Sequence, residues 1–252
     1  MKKLLLLLVI LFVSGSLFSQ TATEPAFGDG SLDDPYQIAS LNNLVWIASD
    51  TNRWDKHYIQ TVDIDASGTA AWPGGEGWTP IGYLVGLPSP DNRPFKGSYN
   101  GQNYKISGLF MNQPADSSVA FFGMTGGATL ANIVLEDVDI TGGTAVGALA
   151  GWHLTSTVTH CSSSGSVTGQ EFTGGLLGLC GFTSTVENSS SSCTVTGEND
   201  RTGGLVGMLY TSCVINNSYT DGNVLGAEYS GGLVGFSFES EINYSFNLGA
   251  VS

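Results

Sequence analysis

A glycine-framed pentapeptide returns at almost constant spacing through the second half of this 252-residue chain. It reads Gly147-Ala-Leu-Ala-Gly151, Gly174-Gly-Leu-Leu-Gly178, Gly203-Gly-Leu-Val-Gly207 and Gly231-Gly-Leu-Val-Gly235, after a weaker forerunner at Val119-Ala-Phe-Phe-Gly123. The closing glycines stand at 123, 151, 178, 207 and 235, so the steps are 28, 27, 29 and 28 residues. A fixed period of this size marks a stacked repeat architecture. Such an array offers a long surface and does not need a single catalytic pocket.

Two further positions keep the same phase. Leu130, Val158, Val186, Ile215 and Ile242 follow their closing glycines by seven or eight residues, and Val167, Val195, Val224 and Val251 follow nine residues later. Between these anchors the chain is rich in Ser, Thr, Asn and Gly, so the apolar bursts read as short strands bounded by turns. Three short strands per unit describe one coil of a parallel β-helix, with each aliphatic residue stacked about 4.8 Å above its counterpart. A propeller blade needs about 40 residues, and left-handed hexapeptide coils about 18, so a right-handed all-β solenoid is expected.

Composition sets the surroundings. Charged residues are 12% of the chain and the formal net charge is −14. Beyond Met111 only Arg201 is basic, His aside, against 12 acidic residues. That surface repels nucleic acid and anionic lipid. Met1-Lys2-Lys3, an apolar run from Leu4 to Val13 and a small-residue stretch to Ser19 read as a secretory signal peptide over residues 1–19, and the run is short for a membrane span. The expected product is secreted or displayed at the cell surface, with no membrane insertion after cleavage. Cys161, Cys180, Cys193 and Cys213 fall at different repeat phases, which favours small buried thiols over a disulfide framework. No CxxC is present, so zinc spacing is absent.

Residues 20–111 read as a different, capping unit. Ser40 is a helix N-cap before Leu41, Leu44, Ile47 and Ala48, which share one face. Tyr58 to Asp65 alternates like a strand, and Asn100-Gly101 between Phe95–Tyr99 and Gln102–Ile106 predicts a β-hairpin. The repeats then occupy residues 112–252. Val251 fills the third anchor of the fifth unit, so the chain stops inside a coil, and it is expected to continue into further repeats or domains.

The Gly-Gly-Leu-Val-Gly units resemble the GLUG motif of bacterial secreted and surface proteins. The preceding segments Asp34-Pro35-Tyr36, Val62-Asp-Ile-Asp65, Trp78-Thr-Pro-Ile-Gly82, Asn100-Gly101 and Ile106-Ser-Gly-Leu109 resemble the leader of such repeats. Ala148 departs from the pattern, as does the forerunner at 119–123. The resemblance implies an extracellular β-rich region, found in adhesin-like proteins and beside the protease region of some immunoglobulin-A-cleaving enzymes. It implies no shared catalytic residues.

Catalytic chemistry finds little to stand on. A glycosidase wants two opposed carboxylates; Asp137 and Asp139 alternate on one strand, but no partner recurs at that phase. A lyase needs a basic residue, and Arg201 stands alone. His57, His153 and His160 show neither metal spacing nor HExxH. His160 occupies the phase of Asn132, Asn188, Asn217 and Tyr244, which reads as a turn or ladder position. Asp29, Asp33, Asp34, Asp63 and Asp65 offer hard oxygens for calcium, yet match no calcium loop, and Asx-turns account for them more simply. The reading is therefore of no catalytic, cofactor or metal residues, with an extracellular glycan or protein as ligand. The alternatives are a non-catalytic segment of a larger extracellular enzyme such as a protease, and, third, a β-helix carbohydrate-active enzyme.

Overall fold

The computed structural model describes residues 20–86 and 89–252; the expected signal peptide lies outside them. The chain winds as a β-solenoid whose three sheets are parallel throughout. The first sheet has eight strands: Tyr36–Ile38, His57–Gln60, Ser98–Asn100, Thr129–Ala131, Thr157–Thr159, Thr185–Glu187, Val214–Asn216 and Glu241–Asn243. The second has five, Phe122–Gly126, Ala150–Leu154, Leu177–Gly181, Val206–Tyr210 and Val234–Phe238, each opening inside or beside a pentapeptide. The third is built on the long strands Val134–Val146, Ser162–Gly174 and Ser190–Gly203.

The anchors stack as their phase requires. Leu130, Val158, Val186, Ile215 and Ile242 are direct register partners in the first sheet, and Ile140, Val167, Val195 and Val224 are partners in the third. All but Ile242 are essentially unexposed. No coil could bury these side chains alone, so burial is won between neighbours.

The leader enters the same sheets. Tyr36, Tyr58 and Tyr99 are successive register partners leading to Leu130, so a tyrosine stack runs straight into the aliphatic one. The expected helix forms at Leu41–Ala48, and the Ser40 hydroxyl accepts from the Asn43 amide at 3.2 Å. Its Trp46 packs edge-on against Tyr36 with ring centroids 5.1 Å apart.

Two expectations for the leader need correction. The hairpin at Asn100-Gly101 does not form: Ser98–Asn100 pairs in the first sheet, whereas Lys105–Ser107 pairs in the third, both in parallel. Gly101 is required because a Cβ there would lie 2.4 Å from the Asn132 carbonyl oxygen of the next coil. The turn itself is made by Gln102 and Asn103, both left-handed, with Asn100 Oδ1 accepting from the Gln102 amide. The run from Tyr58 to Asp65 is likewise two strands, His57–Gln60 and Ile64–Asp65, in different sheets. Buried Gln60 holds that corner by donating to the carbonyls of Val62 and Lys105. Local pattern suggested hairpin and strand; stacking on the next coil decides otherwise.

Corners are also where the serines and two cysteines act. Ala128, Ser156 and Cys213 donate their backbone N–H to the hydroxyls of Ser156, Ser184 and Ser240 in the following coil, at 3.0–3.2 Å. Cys213 stands next in this column, its sulfur beside the Ser184 backbone. A second column runs through Cys161, Ser189, Ser218 and Ser245 in the same manner. These links satisfy backbone groups that bends would otherwise bury unpaired. Cys161 and Cys213 thus stand where other coils carry serine. All four cysteines are free and buried.

Candidate binding surface

The second sheet alternates between two faces. Thr125, His153, Cys180 and Leu209 are register partners with no exposure, and Cys180 and Leu209 belong to the main core, so this column points inward. Its flanking columns therefore point outward: Met124, Trp152, Leu179, Met208 and Phe236 on one side, and Gly126, Leu154, Gly181, Tyr210 and Phe238 on the other. Met124, Leu154 and Leu179, with Leu84, Trp152, Phe172 and Met208 against them, form an apolar cluster separate from the core.

Corner residues overhang this face. Phe172, Arg201 and Tyr229 are left-handed, with φ of 53°, 55° and 48°. The Arg201 guanidinium lies 5.2 Å from the Phe172 ring, 5.4 Å from Phe236 and 6.0 Å from Tyr229. It also pairs with Asp200 at 2.5 Å. Trp152 meets Phe172 edge-on, Tyr229 meets Phe236 edge-on, and Tyr210 stacks on Phe238 at 5.7 Å with Phe182 edge-on beside it. Tyr229 is 57% exposed, Phe182 and Phe238 43%, and Tyr210 38%. The result is an aromatic belt running along the solenoid axis, with one cation set into it. Trp152 Nε1, Arg201 Nε and Asp200 Oδ1 are buried and lack a hydrogen-bond partner.

The expected turn position is confirmed: Asn132, His160, Asn188, Asn217 and Tyr244 are all left-handed, with φ from 48° to 53°. The histidines lie apart. His57 Nδ1 is 2.8 Å from Ser98 Oγ, His160 bonds Thr159, and His153 is fully buried against Thr125 at 2.8 Å. Burial holds the His153 imidazole down at a pKa of about 4. Asp29 and Asp65 make Asx contacts, their Oδ1 atoms accepting from the Ser31 and Ser67 amides, and the serine side chains first and these amides second lower both carboxyls; Asp63 Oδ1 instead accepts from the distant Lys105 amide. Asp137 and Asp139 are both exposed on either side of buried Val138, as alternation requires, with Asp137 left-handed beside a register shift between coils. One cleft of about 480 Å³ has two carboxylates, Glu76 and Asp116, among its walls, and no His, Lys or Arg among the described residues lining it.

Residues 142–168 match the family model described as the GLUG motif. The chain carries a GLUG motif. The matched span covers one circuit of the solenoid, from Gly142-Gly143 in the third-sheet strand Val134–Val146 through the pentapeptide to Val158 and Val167. Over 154 residues the chain is 34% identical to halomucin of Haloquadratum walsbyi, a match covering 60% of this chain and 2% of halomucin. It is 30% identical over 137 residues to a protein of Evansella cellulosilytica named as a Gly-rich membrane protein, covering 54% of this chain and 14% of that protein. The chain therefore spans a small part of these curated relatives. A crystal structure from Bacteroides ovatus, described as an immunoglobulin A1 protease, superposes with a TM-score of 0.69 at 19% identity, covering 89% of this chain and 69% of that one. That likeness concerns the fold.

The belt itself went unread in the sequence, although its signal was present. The residue after every closing glycine is large and apolar: Met124, Trp152, Leu179, Met208 and Phe236. The phase was visible; which side of the sheet it faces was not.

Proposed function

We propose that this chain is a non-catalytic repeat module of an extracellular or cell-surface protein, with the aromatic belt as its adhesive surface and a neutral glycan as its ligand. The observation that carries this reading is the run of exposed rings Phe182, Tyr210 and Phe238 along the second sheet, with exposed Tyr229 of a third-sheet strand packed on Phe236 beside it. Flat rings suit the C–H faces of sugars, and rigid rings lose little entropy on binding. A net charge of −14, with Arg201 engaged by Asp200, disfavours polyanions. The names of the two curated relatives, halomucin and a Gly-rich membrane protein, support a setting outside the cytoplasm. A glycan array and titration calorimetry with the purified chain test the reading. Tyr210→Ala combined with Phe238→Ala should weaken binding on the order of tenfold per ring, about 1.4 kcal/mol each. Binding unchanged in that variant, or silence across neutral glycans, sinks the proposal.

A second reading, a scaffold segment within a larger extracellular enzyme, draws support from the fold shared with the Bacteroides ovatus chain. A hydrolase domain encoded in the same polypeptide would favour it.

A further inference from the structure

The repeat phase separates Cys180 from Cys213, since Cys180 aligns with Leu209 and Cys213 stands in the column of Ser184. The corner undoes that separation. Phe182 and Thr183 in one coil, and Thr211 and Ser212 in the next, are all left-handed, so each chain folds back sharply between its second-sheet and first-sheet strands. Cys213 Sγ thereby comes within 3.2 Å of the Cys180 carbonyl oxygen, and both residues are wholly unexposed. The two side chains also face each other, and each is the largest influence on the other's ionisation. Cys161 instead bonds the carbonyls of Leu130 and Thr159, and Cys193 lies beside Ser163 and Ser191. Among the described residues no group of three or more His, Cys, Asp or Glu is placed to hold a metal ion.

We propose that Cys180 and Cys213 close a disulfide that staples two adjacent coils when the protein matures in an oxidising environment. The setting rests on the extracellular reading above; the chemistry does not. The oxidant is a small or protein disulfide. Because both thiols are unexposed once the corner is packed, the exchange begins while it is still open: one thiolate attacks a sulfur of the oxidant, forming a mixed disulfide and expelling one thiol. As the corner closes, the other cysteine loses its proton and attacks the cysteine sulfur of that mixed disulfide, expelling the second thiol, so two cysteine thiols are oxidised and one disulfide is reduced to two thiols. In the structure both thiols are reduced. Closure links positions 33 residues apart and so constrains the unfolded chain.

The test uses the purified chain refolded with a mixture of oxidised and reduced glutathione, then denatured and alkylated. Two of the four thiols should be lost to alkylation. A protease cutting after glutamate separates the candidates, because Glu171, Glu187, Glu198 and Glu228 place Cys180, Cys193 and Cys213 in different peptides. Peptides 172–187 and 199–228 should appear joined without reductant and separate with it. Four alkylatable thiols, or a link through Cys161 or Cys193, overturns the proposal. Cys213→Ser restores the residue of its own column and should fold, as circular dichroism will show, with three free thiols and no cross-link. Loss of two thiols in that variant also refutes the pairing. Because this readout needs no ligand, its failure is distinct from a failure of the glycan assay.

Discussion

Replacing Ser184 by alanine tests the corner columns directly. The Ser184 hydroxyl accepts the Ser156 amide at 3.1 Å and donates toward the carbonyls of Gly181 and His153 at 2.6 and 3.2 Å, in a site with no exposure. Alanine strands the Ser156 N–H where no water reaches, which costs about 1–3 kcal/mol; the orphaned carbonyls have other lone pairs and add less. For a chain of this size about 1 kcal/mol moves the melting temperature by about 2–4 °C, so a fall of about 2–12 °C is expected. Ser184→Cys should cost far less than alanine, because Cys213 already fills the equivalent position with a sulfur that donates to the Cys180 carbonyl of the neighbouring coil. Differential scanning fluorimetry reads the stability, and hydrogen exchange reads the Ser156 amide, which should exchange faster in the alanine variant alone. The reasoning fails if alanine melts within about 1 °C of the parent, or if cysteine is as damaging as alanine.

Three other outcomes follow from the same geometry. Gly207→Ala places a Cβ 2.5–2.7 Å from backbone atoms of Phe172, Thr173 and Gly178, none of which can swing aside, so folding should be lost or the melting temperature should drop steeply. Gly68→Ala, with nothing within 4 Å, should be silent by the same assay. His153 should make stability fall on acidification: its folded pKa of about 4 lies below the unfolded value of about 6.5, so between those values the unfolded chain takes up a proton that the folded chain refuses. The loss is about 3 kcal/mol, complete near pH 4, and His153→Gln should flatten that part of the melting profile; parallel profiles for the two proteins would refute it.

How much was legible in the sequence depended on whether the deciding contact was local or lay in the next coil. The aliphatic anchors were readable because stacked coils demand a hydrophobe at a fixed phase, and Val158, Val186 and Ile215 supply it. The Ser40 cap was readable because its partner, the Asn43 amide, lies three residues away. The turn at Asn100-Gly101 was misread because the dipeptide's local preference for a hairpin competes with a neighbour 31 residues on, the Asn132 carbonyl that forbids any side chain at Gly101. Trp152, Met208 and Phe236 kept phase just as the core anchors did, and phase alone does not say which face of a strand is covered.

The sequence by itself determined the architecture: a period near 28 residues with three apolar anchors per period has no compact solution but stacked parallel coils. Only the tertiary structure decided what those coils bring together. Residues far apart along the chain become neighbours when coils stack, and left-handed corners shift their alignment. That is why an aromatic belt faces outward from the second sheet, why Cys161 and Cys213 stand in columns of serine, and why Cys180 and Cys213, out of phase in sequence, meet in space.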